Sequence, residues 1–342
     1  MFVFLLPAIA GCEGPGMFVP VMPTVSATAS ATATATQTPT PTFTPTVTPI
    51  PAACGGPREM LILLIGSDAR RDNYTTGLAD AVRLVRVDFV HPGISLLAFP
   101  RDLYVEIPGL SENSRITHGK LNQAYLYGNP GYKYYDGPGQ GPGLLAATLA
   151  HNFDARVDHY AAVNLRAFAR IVDALGGINI NMPYALDGRV PRSKDANRYF
   201  PAGNQHLNGY RTMLLARMRP QGDFERMQIQ NLILQAVMRK LSSPAMLLRL
   251  PELIGSFHGS VQTDLGAAEL SYLACLAAML DSQDIEFVSF PPEMFTVGRV
   301  QDPVLGNTSI LEVDFEALST YVRKFQAGLA LSAYDDTQWI DP

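Results

Sequence analysis

Arg217, Arg219, Asp223, Arg226 and Gln230 fall within fourteen positions of a 342-residue chain whose net charge is −5. Three guanidinium groups that close need anions to face. The planar five-donor fork of arginine matches the paired oxygens of a phosphate, where lysine offers only a point charge. The segment GDFERMQIQNLILQAVMRKL predicts a helix with Asp223 near its first turn and an apolar run towards its end. At about 100° per residue, Asp223, Arg226 and Gln230 share one narrow face, and Ile229, Leu232, Ile233 and Ala236 form a neighbouring apolar arc. Arg217 and Arg219 lie two apart just before it, so an extended backbone points both the same way. A solvated face with surface ion pairs is the competing reading for any one arginine; it accounts less well for the set.

The elements that must position such a site begin at MLILLIG (Met60 to Gly66), a continuous apolar run expected of a strand buried on both faces. It ends in Ser67-Asp68-Ala69-Arg70, a polar loop at the strand's carboxyl end, where ligands sit in open α/β sheets. A second strand, AVRLVRVDF, starts directly after Asp80. His91-Pro92-Gly93 then turns the chain into a third, ISLLAFP, which runs into Arg101-Asp102. So tight a connection predicts an antiparallel hairpin, hence a mixed sheet with Asp68, Asp80 and Arg101 converging at one end. Mg²⁺ takes one or two carboxylates and completes its shell with water and phosphate oxygens. Asp68 and Asp80 alone specify little; beside Arg101, Arg217, Arg219 and Arg226 they predict a pyrophosphate–metal site, with Mg²⁺ (or Mn²⁺) the cation. GxxxxGKS, HExxH and GxSxG are all absent.

Further along, the Gly/Tyr/Pro-rich span Tyr127 to Gly143 reads as a long mobile loop. Helical patterns follow at Leu144 to Asn152 and Leu165 to Leu175, the second closing at Gly176-Gly177. HYAAVN and GININ flank that second helix and predict a strand–helix–strand unit. A helix over Leu265 to Leu280, a strand IEFVSFP and a helix over Phe315 to Phe325 complete an α/β sandwich, one domain over 58–327 with a loose tail at 328–342. Cys275, in an apolar helix, is expected in the core, and Cys54 has no assigned role. His118 is the one histidine expected near the site.

Ahead of the domain, residues 1–12 close the apolar run FVFLLPAIAGC, which resembles a bacterial lipoprotein signal whose Cys12 is lipidated. No Lys or Arg precedes the run and Pro7 interrupts it, so a longer signal or anchor helix upstream is the alternative; both predict export. The run itself is too short to span a membrane. Residues 13–57 form a Thr/Pro/Ala-rich stalk, uncharged from Gly14 to Pro57, and about thirty extended residues reach on the order of 90 Å. The acidic balance excludes non-specific nucleic-acid binding.

The ordered segments LLIGSDAR, ADAVRLVRVD, LLAFPRDLYVEIPG, GKLNQAYLYG, VDALGGINI, FPAGNQHLNGYRTMLLARMR and GDFERMQIQ resemble the LytR-CpsA-Psr family. The resemblance is dense over residues 58 to 245 and looser to about 327. It implies an extracytoplasmic, membrane-tethered enzyme with an α/β/α fold around a mixed central sheet. Such an enzyme moves a glycopolymer from a polyprenyl-pyrophosphate donor to a peptidoglycan hydroxyl and forms a phosphodiester. It implies that Asp68 and Asp80 hold the metal, and that Arg101, Lys120, Arg217, Arg219, Arg226 and Gln230 surround the pyrophosphate. Asp102 and Asp223 would orient the arginines. Asp80, Arg101, Arg217 and Arg219 would be catalytic. Ile229 stands where members carry a further arginine, which predicts a site one charge poorer. The carrier's hydrocarbon chain needs an apolar groove, expected between the sheet and the helices at 144–152 and 165–175. Arg101 is expected to sit among repelling cations, so that its removal changes stability little. A hydrolase of the same pyrophosphate and a non-catalytic polymer-binding surface module are the alternatives.

Overall fold

The computed structural model describes residues 50–331 apart from 71, 73, 190–194, 220–221, 244–245, 247–256 and 258. The signal segment with Cys12, the stalk up to residue 49 and the tail from 332 lie outside the described residues. The chain opens with an antiparallel meander, β1 (Glu59–Ser67), β2 (Ala79–Asp88) and β3 (Gly93–Phe99). A short ribbon of β4 (Tyr104–Glu106) and β5 (His118–Lys120) leads into α1 (Leu121–Gly128) and α2 (Gln140–Phe153). Next come β6 (His159–Asn164), α3 (Leu165–Ala174), β7 (Ile178–Met182), β8 (Leu186–Asp187), β9 (Tyr199–Phe200) and β10 (Gly203–Leu207). Then α4 (Gly209–Leu215), α5 (Asp223–Leu241), β11 (Val261–Thr263) and α6 (Ala267–Ala277) follow. Strand β12 (Ile285–Ser289), the hairpin β13 (Phe295–Asp302) with β14 (Gly306–Val313), and α7 (Phe315–Gln326) end the domain.

The central sheet has the order β11-β6-β1-β2-β3-β12. Strands β6 and β12 run parallel to β1 and β3, and the remaining pairs are antiparallel, so the sheet is mixed. Strand β1 is apolar from Met60 to Gly66 because both its faces are covered. Leu61, Leu63 and Ile65 pack in the core with residues of α1, α2 and α7 (Leu121, Leu149, Val322), while Met60 and Ile62 meet Leu276 and Leu280 on and after α6. These layers give the expected α/β/α arrangement.

Four expectations need correction. The strand–helix–strand unit of HYAAVN and GININ forms as β6–α3–β7, but its two strands do not lie in one sheet: β6 is central, whereas β7 pairs with β10 in a separate ribbon. That ribbon and helices α3 to α5 enclose a second core around Ile178, Leu207, Leu215 and Ile233. The loop in the span 127–143 is shorter than expected, because α1 runs to Gly128 and α2 starts at Gln140, leaving 129–139 between them. Its glycines allow close approach: a Cβ at Gly128 would lie 2.7 Å from the Gly141 Cα. Cys275 is bonded to Cys54, with 5.8 Å between their Cα atoms, tying the chain just before β1 to α6. The fourth, the lipid groove, is described with the site. No helix among the described residues is long and apolar enough to cross a membrane.

Candidate functional site

The pairing of β1 with β2 slips at Gly66/Ser67: Gly66 faces Ala81, but Ser67 faces Ala79, so Asp80 is the extra residue of a bulge. Bulges re-aim one side chain beside a site, and here that side chain is a carboxylate. Asp68 follows β1 directly and accepts the Leu78 N–H at 2.6 Å, while its own N–H donates to the Leu78 carbonyl at 3.1 Å. Gly77 permits this close loop, since its φ is +139° and a Cβ there would meet the Ser67 hydroxyl at 2.8 Å. Burial pushes the Asp68 carboxyl up; the Leu78 N–H opposes the rise, the Asp80 charge adds to it, and Arg101 and Arg217 oppose it.

Arg101 emerges from β3 after Pro100 and stands among three carboxylates. Its Nη1 donates to Asp80 Oδ1 at 2.6 Å, its Nη2 reaches Asp223 Oδ2 at 3.4 Å, and its Nε lies 3.6 Å from Asp102. Lys120 Nζ donates to Asp102 at 3.0 Å. Burial disfavours the Arg101 cation, yet Asp102, Asp80 and Asp223 together raise its pKa above the ordinary value. This overturns the expectation that Arg101 is repelled by its neighbours; it is the best-neutralised cation of the group. Asp102 is raised by burial and by Asp223 beside it. Asp223 is held low despite its burial, by its hydrogen bond with Asp102 and by Arg226, Arg101 and Arg219.

Helix α5 brings the remaining groups. Arg226 is 3% exposed, bonds the Asp80 carbonyl at 3.2 Å and lies 3.3 Å from Asp223, but its Nε is buried without a partner. Arg83, which sequence reasoning missed, lies on β2 opposite Leu64 and runs under α5 to Asn231 and Gln230 (3.0 and 3.3 Å). Burial, with repulsion from Arg226, lowers the pKa of Arg83 to about 10; burial, with repulsion from Arg101 and Arg219, lowers that of Arg226 to about 10 against the pull of Asp223 and Asp80. Both stay charged at neutral pH, and a pair of under-neutralised guanidinium groups in a wall is a ready-made anion receptor. Arg219 reaches Asp223 at 3.5 Å; Arg217 and Arg219 are exposed on either side of buried Met218, on a turn that continues α4 (the Arg217 and Met218 N–H groups bond the Leu214 and Leu215 carbonyls) rather than on the extended backbone expected.

Of these side chains, Asp80, Arg83, Arg217, Arg219, Arg226 and Gln230 line a cavity of about 490 Å³, whereas Asp68, Arg101, Asp102, Lys120 and Asp223 stand outside its lining. Asp80, Arg217, Arg219, Arg226 and Gln230 form its polar mouth; Leu64, Val163, Phe168, Ile233 and Leu234 form an apolar floor. The floor corrects the groove expectation. Helix α3 does line it, but α5 replaces the helix at 144–152, which packs on the opposite face of the sheet. Ile229 is buried in the second core and does not line this cavity. His118 lies on a different cavity, beside Tyr104 and His151.

Asp68 and Asp80 fit a divalent cation in one respect: their mutual repulsion raises Asp68, and a cation would relieve it. Arg101 and Arg226 both address Asp80 Oδ1, so a cation would take the other oxygen. Among the described residues no group of three or more His, Cys, Asp or Glu side chains forms a metal site, so phosphate oxygens would complete the shell. Mg²⁺ with inorganic pyrophosphate is therefore expected to raise the Tm of the protein, and Asp68→Asn, which keeps an acceptor for Leu78, should abolish that rise. An undiminished rise in the variant would remove Asp68 from the metal site.

The family model that matches the chain over residues 19–325 describes the LytR_cpsA_psr family. The chain belongs to this family. Among curated members, a polyisoprenyl-teichoic acid–peptidoglycan teichoic acid transferase TagU of Bacillus cereus is 28% identical over 235 residues, covering 66% of this chain and 67% of its own. The regulatory protein MsrR of Staphylococcus aureus is 26% identical over 234 residues, covering 67% and 64%. The crystal structure of B. subtilis TagV matches 80% of this chain and 99% of its own with a TM-score of 0.61 at 23% identity. TagT bound to LIIa-WTA matches 80% and 92% with a TM-score of 0.57 at 20% identity. The LytR_cpsA_psr fold therefore extends over the sandwich described above.

Proposed function

We propose that this protein transfers a glycopolymer from a polyprenyl-pyrophosphate carrier to a peptidoglycan hydroxyl, forming a phosphodiester. The observation that carries the reading is the cavity itself: an arginine-rimmed polar mouth opening onto an apolar floor, the shape of a ligand that joins a diphosphate to a hydrocarbon chain. The relative TagU, a teichoic acid transferase, supports the same class. Arg226 and Arg83 from the wall and Arg217 and Arg219 from the rim hold the diphosphate oxygens. The acceptor hydroxyl oxygen forms a bond to the sugar-linked phosphorus and releases its proton to solvent while the bond to the bridging oxygen breaks, and polyprenyl phosphate departs carrying the new charge. Arg101 is positioned by Asp80, Asp102 and Asp223 to meet that charge, the kind of preorganised donor that electrostatic catalysis requires. A Mg²⁺ or Mn²⁺ ion held by Asp68 and Asp80 would neutralise further diphosphate charge.

The test is incubation of the purified full chain with a polyprenyl-pyrophosphate-linked glycan and peptidoglycan. Polymer phosphodiester-linked to the wall is the expected product. Free glycan phosphate alone would establish the hydrolase instead, and turnover of neither would leave a binding module.

Location belongs to the same reading. The apolar N-terminus ending at Cys12 and the uncharged stalk support an extracytoplasmic, membrane-tethered enzyme, and the Cys54–Cys275 bond suits an oxidising compartment. In its native host the protein should fractionate with membranes and be released by cleavage within the Thr/Pro segment. Recovery as a soluble cytoplasmic species would overturn the tether.

A further inference from the structure

A second cavity, of about 540 Å³, lies beyond Lys120 on the ribbon β4–β5, bounded by the end of α2, the end of β14 and the start of α7. Its chemistry differs from that of the arginine site. The rings of Tyr104 and His118 stack at 5.9 Å with 24° between their planes, and Phe315 is 40% exposed at the rim. Glu106 and Glu312 supply carboxylates, with His151 Nε2 lying 3.1 Å from Glu106. No Lys or Arg lines it. The wall is fixed in place: the Asn152 amide accepts the Glu106 N–H at 3.2 Å and donates to the Glu106 carbonyl at 2.7 Å.

Aromatic faces beside carboxylates are the chemistry that takes up a sugar, with ring C–H faces on the aromatic surface and hydroxyls donating to the acids. An acidic lining rejects a polyanion as effectively as the arginine site attracts one. The two cavities share no lining residue, but a chain of polar contacts through the ribbon runs from one towards the other. Tyr104 pairs with Lys120 and Glu106 with His118, so these four share one face of the ribbon while Val105 and Gly119 turn inward. Two residues along a strand is about 7 Å, and Lys120 already bonds Asp102 beside Arg101.

We propose that this cavity is the acceptor-saccharide subsite, holding an uncharged N-acetylhexosamine chain on the Tyr104–His118 platform within reach of the diphosphate mouth. The name acceptor rests on the transfer reading above; the saccharide class rests on the cavity alone. The site separates the two substrates by charge, the anionic donor at the arginines and the uncharged acceptor at the acids.

The probe is a β-1,4-linked N-acetylglucosamine tetrasaccharide, titrated into the full-length protein by calorimetry. Binding is expected, weakened at least tenfold by Tyr104→Ala and by Phe315→Ala, and unchanged by Arg217→Ala. Phe315 is at the surface, so its variant remains informative if Tyr104→Ala destabilises the ribbon. In the transfer assay both variants should raise the acceptor KM and leave the donor KM unchanged. No binding, or equal binding by wild type and Phe315→Ala, would overturn the proposal. Transfer with an unaltered acceptor KM in Phe315→Ala sinks the subsite and leaves the function standing; saccharide binding without any transfer does the reverse.

Discussion

Arg101→Ala is expected to slow glycopolymer transfer about a hundredfold, the effect of losing roughly 3 kcal/mol of transition-state stabilisation. Arg101→Lys should fall nearly as far, because an ammonium cannot reproduce the fork that meets two oxygens at once. The two variants part company in stability. Removing the guanidinium leaves Asp80, Asp102 and Asp223 facing one another without their shared counter-ion, so Arg101→Ala should lose about 1–3 kcal/mol. Arg101→Lys retains the charge and should melt close to wild type. In Arg101→Ala the three carboxylates bind protons more readily, so its deficit should be largest at neutral pH and shrink as the pH falls through their range. Melting curves and transfer rates measured on the same preparations separate catalysis from folding. A normally folded Lys variant with full activity defeats the catalytic assignment.

The strands β1 to β3 and the helix α5 announce themselves by apolar runs and by period, and they position Asp68, Asp80, Arg101 and Arg226. The sign of the field around Arg101 was not readable, because it depends on a bulge that moves Asp80 and on Asp223 arriving from a helix 122 positions away. Arg83 was missed for a related reason. In VRLVRV a charge reads as solvent-facing, but the Arg83 face is roofed by Gln230 and Asn231 of α5. The clue was available: a strand flanked by two others needs both faces covered, so a charge there must have polar partners. Ribbon β4–β5 is only three residues a side, too short for periodicity to register. In the β13–β14 hairpin the pattern fails because the hairpin is largely solvated, with Val297 78% exposed.

The disulfide should carry the largest single share of stability in the domain. Cys54 and Cys275 stand 221 positions apart, so no spacing rule could pair them. Closing so long a loop restricts the unfolded chain more than the folded one, and native disulfides contribute about 2–5 kcal/mol. Here the bond supports a thinly packed element. Among the residues of α6 only Leu276 is buried, and the cluster it joins is small, with Met60, Ile62, Val87, Phe89 and Leu280. Cys54→Ser, Cys275→Ser and the double variant should each lower Tm by on the order of 5–15 °C. The three values should agree within about 0.5 kcal/mol, because each change breaks the same bond and the second adds nothing. Dithiothreitol should bring wild type to the same Tm and leave the variants unmoved. The bond lies at the end of the sheet away from the cavity, where Met60 and Ile62 replace Leu64 and Gly66 on the same face of β1, so transfer below the lowered Tm should persist. Two free thiols per domain in protein recovered from the exported fraction, or a wild-type Tm indifferent to reductant, would remove both the staple and the support it lends to an oxidising location.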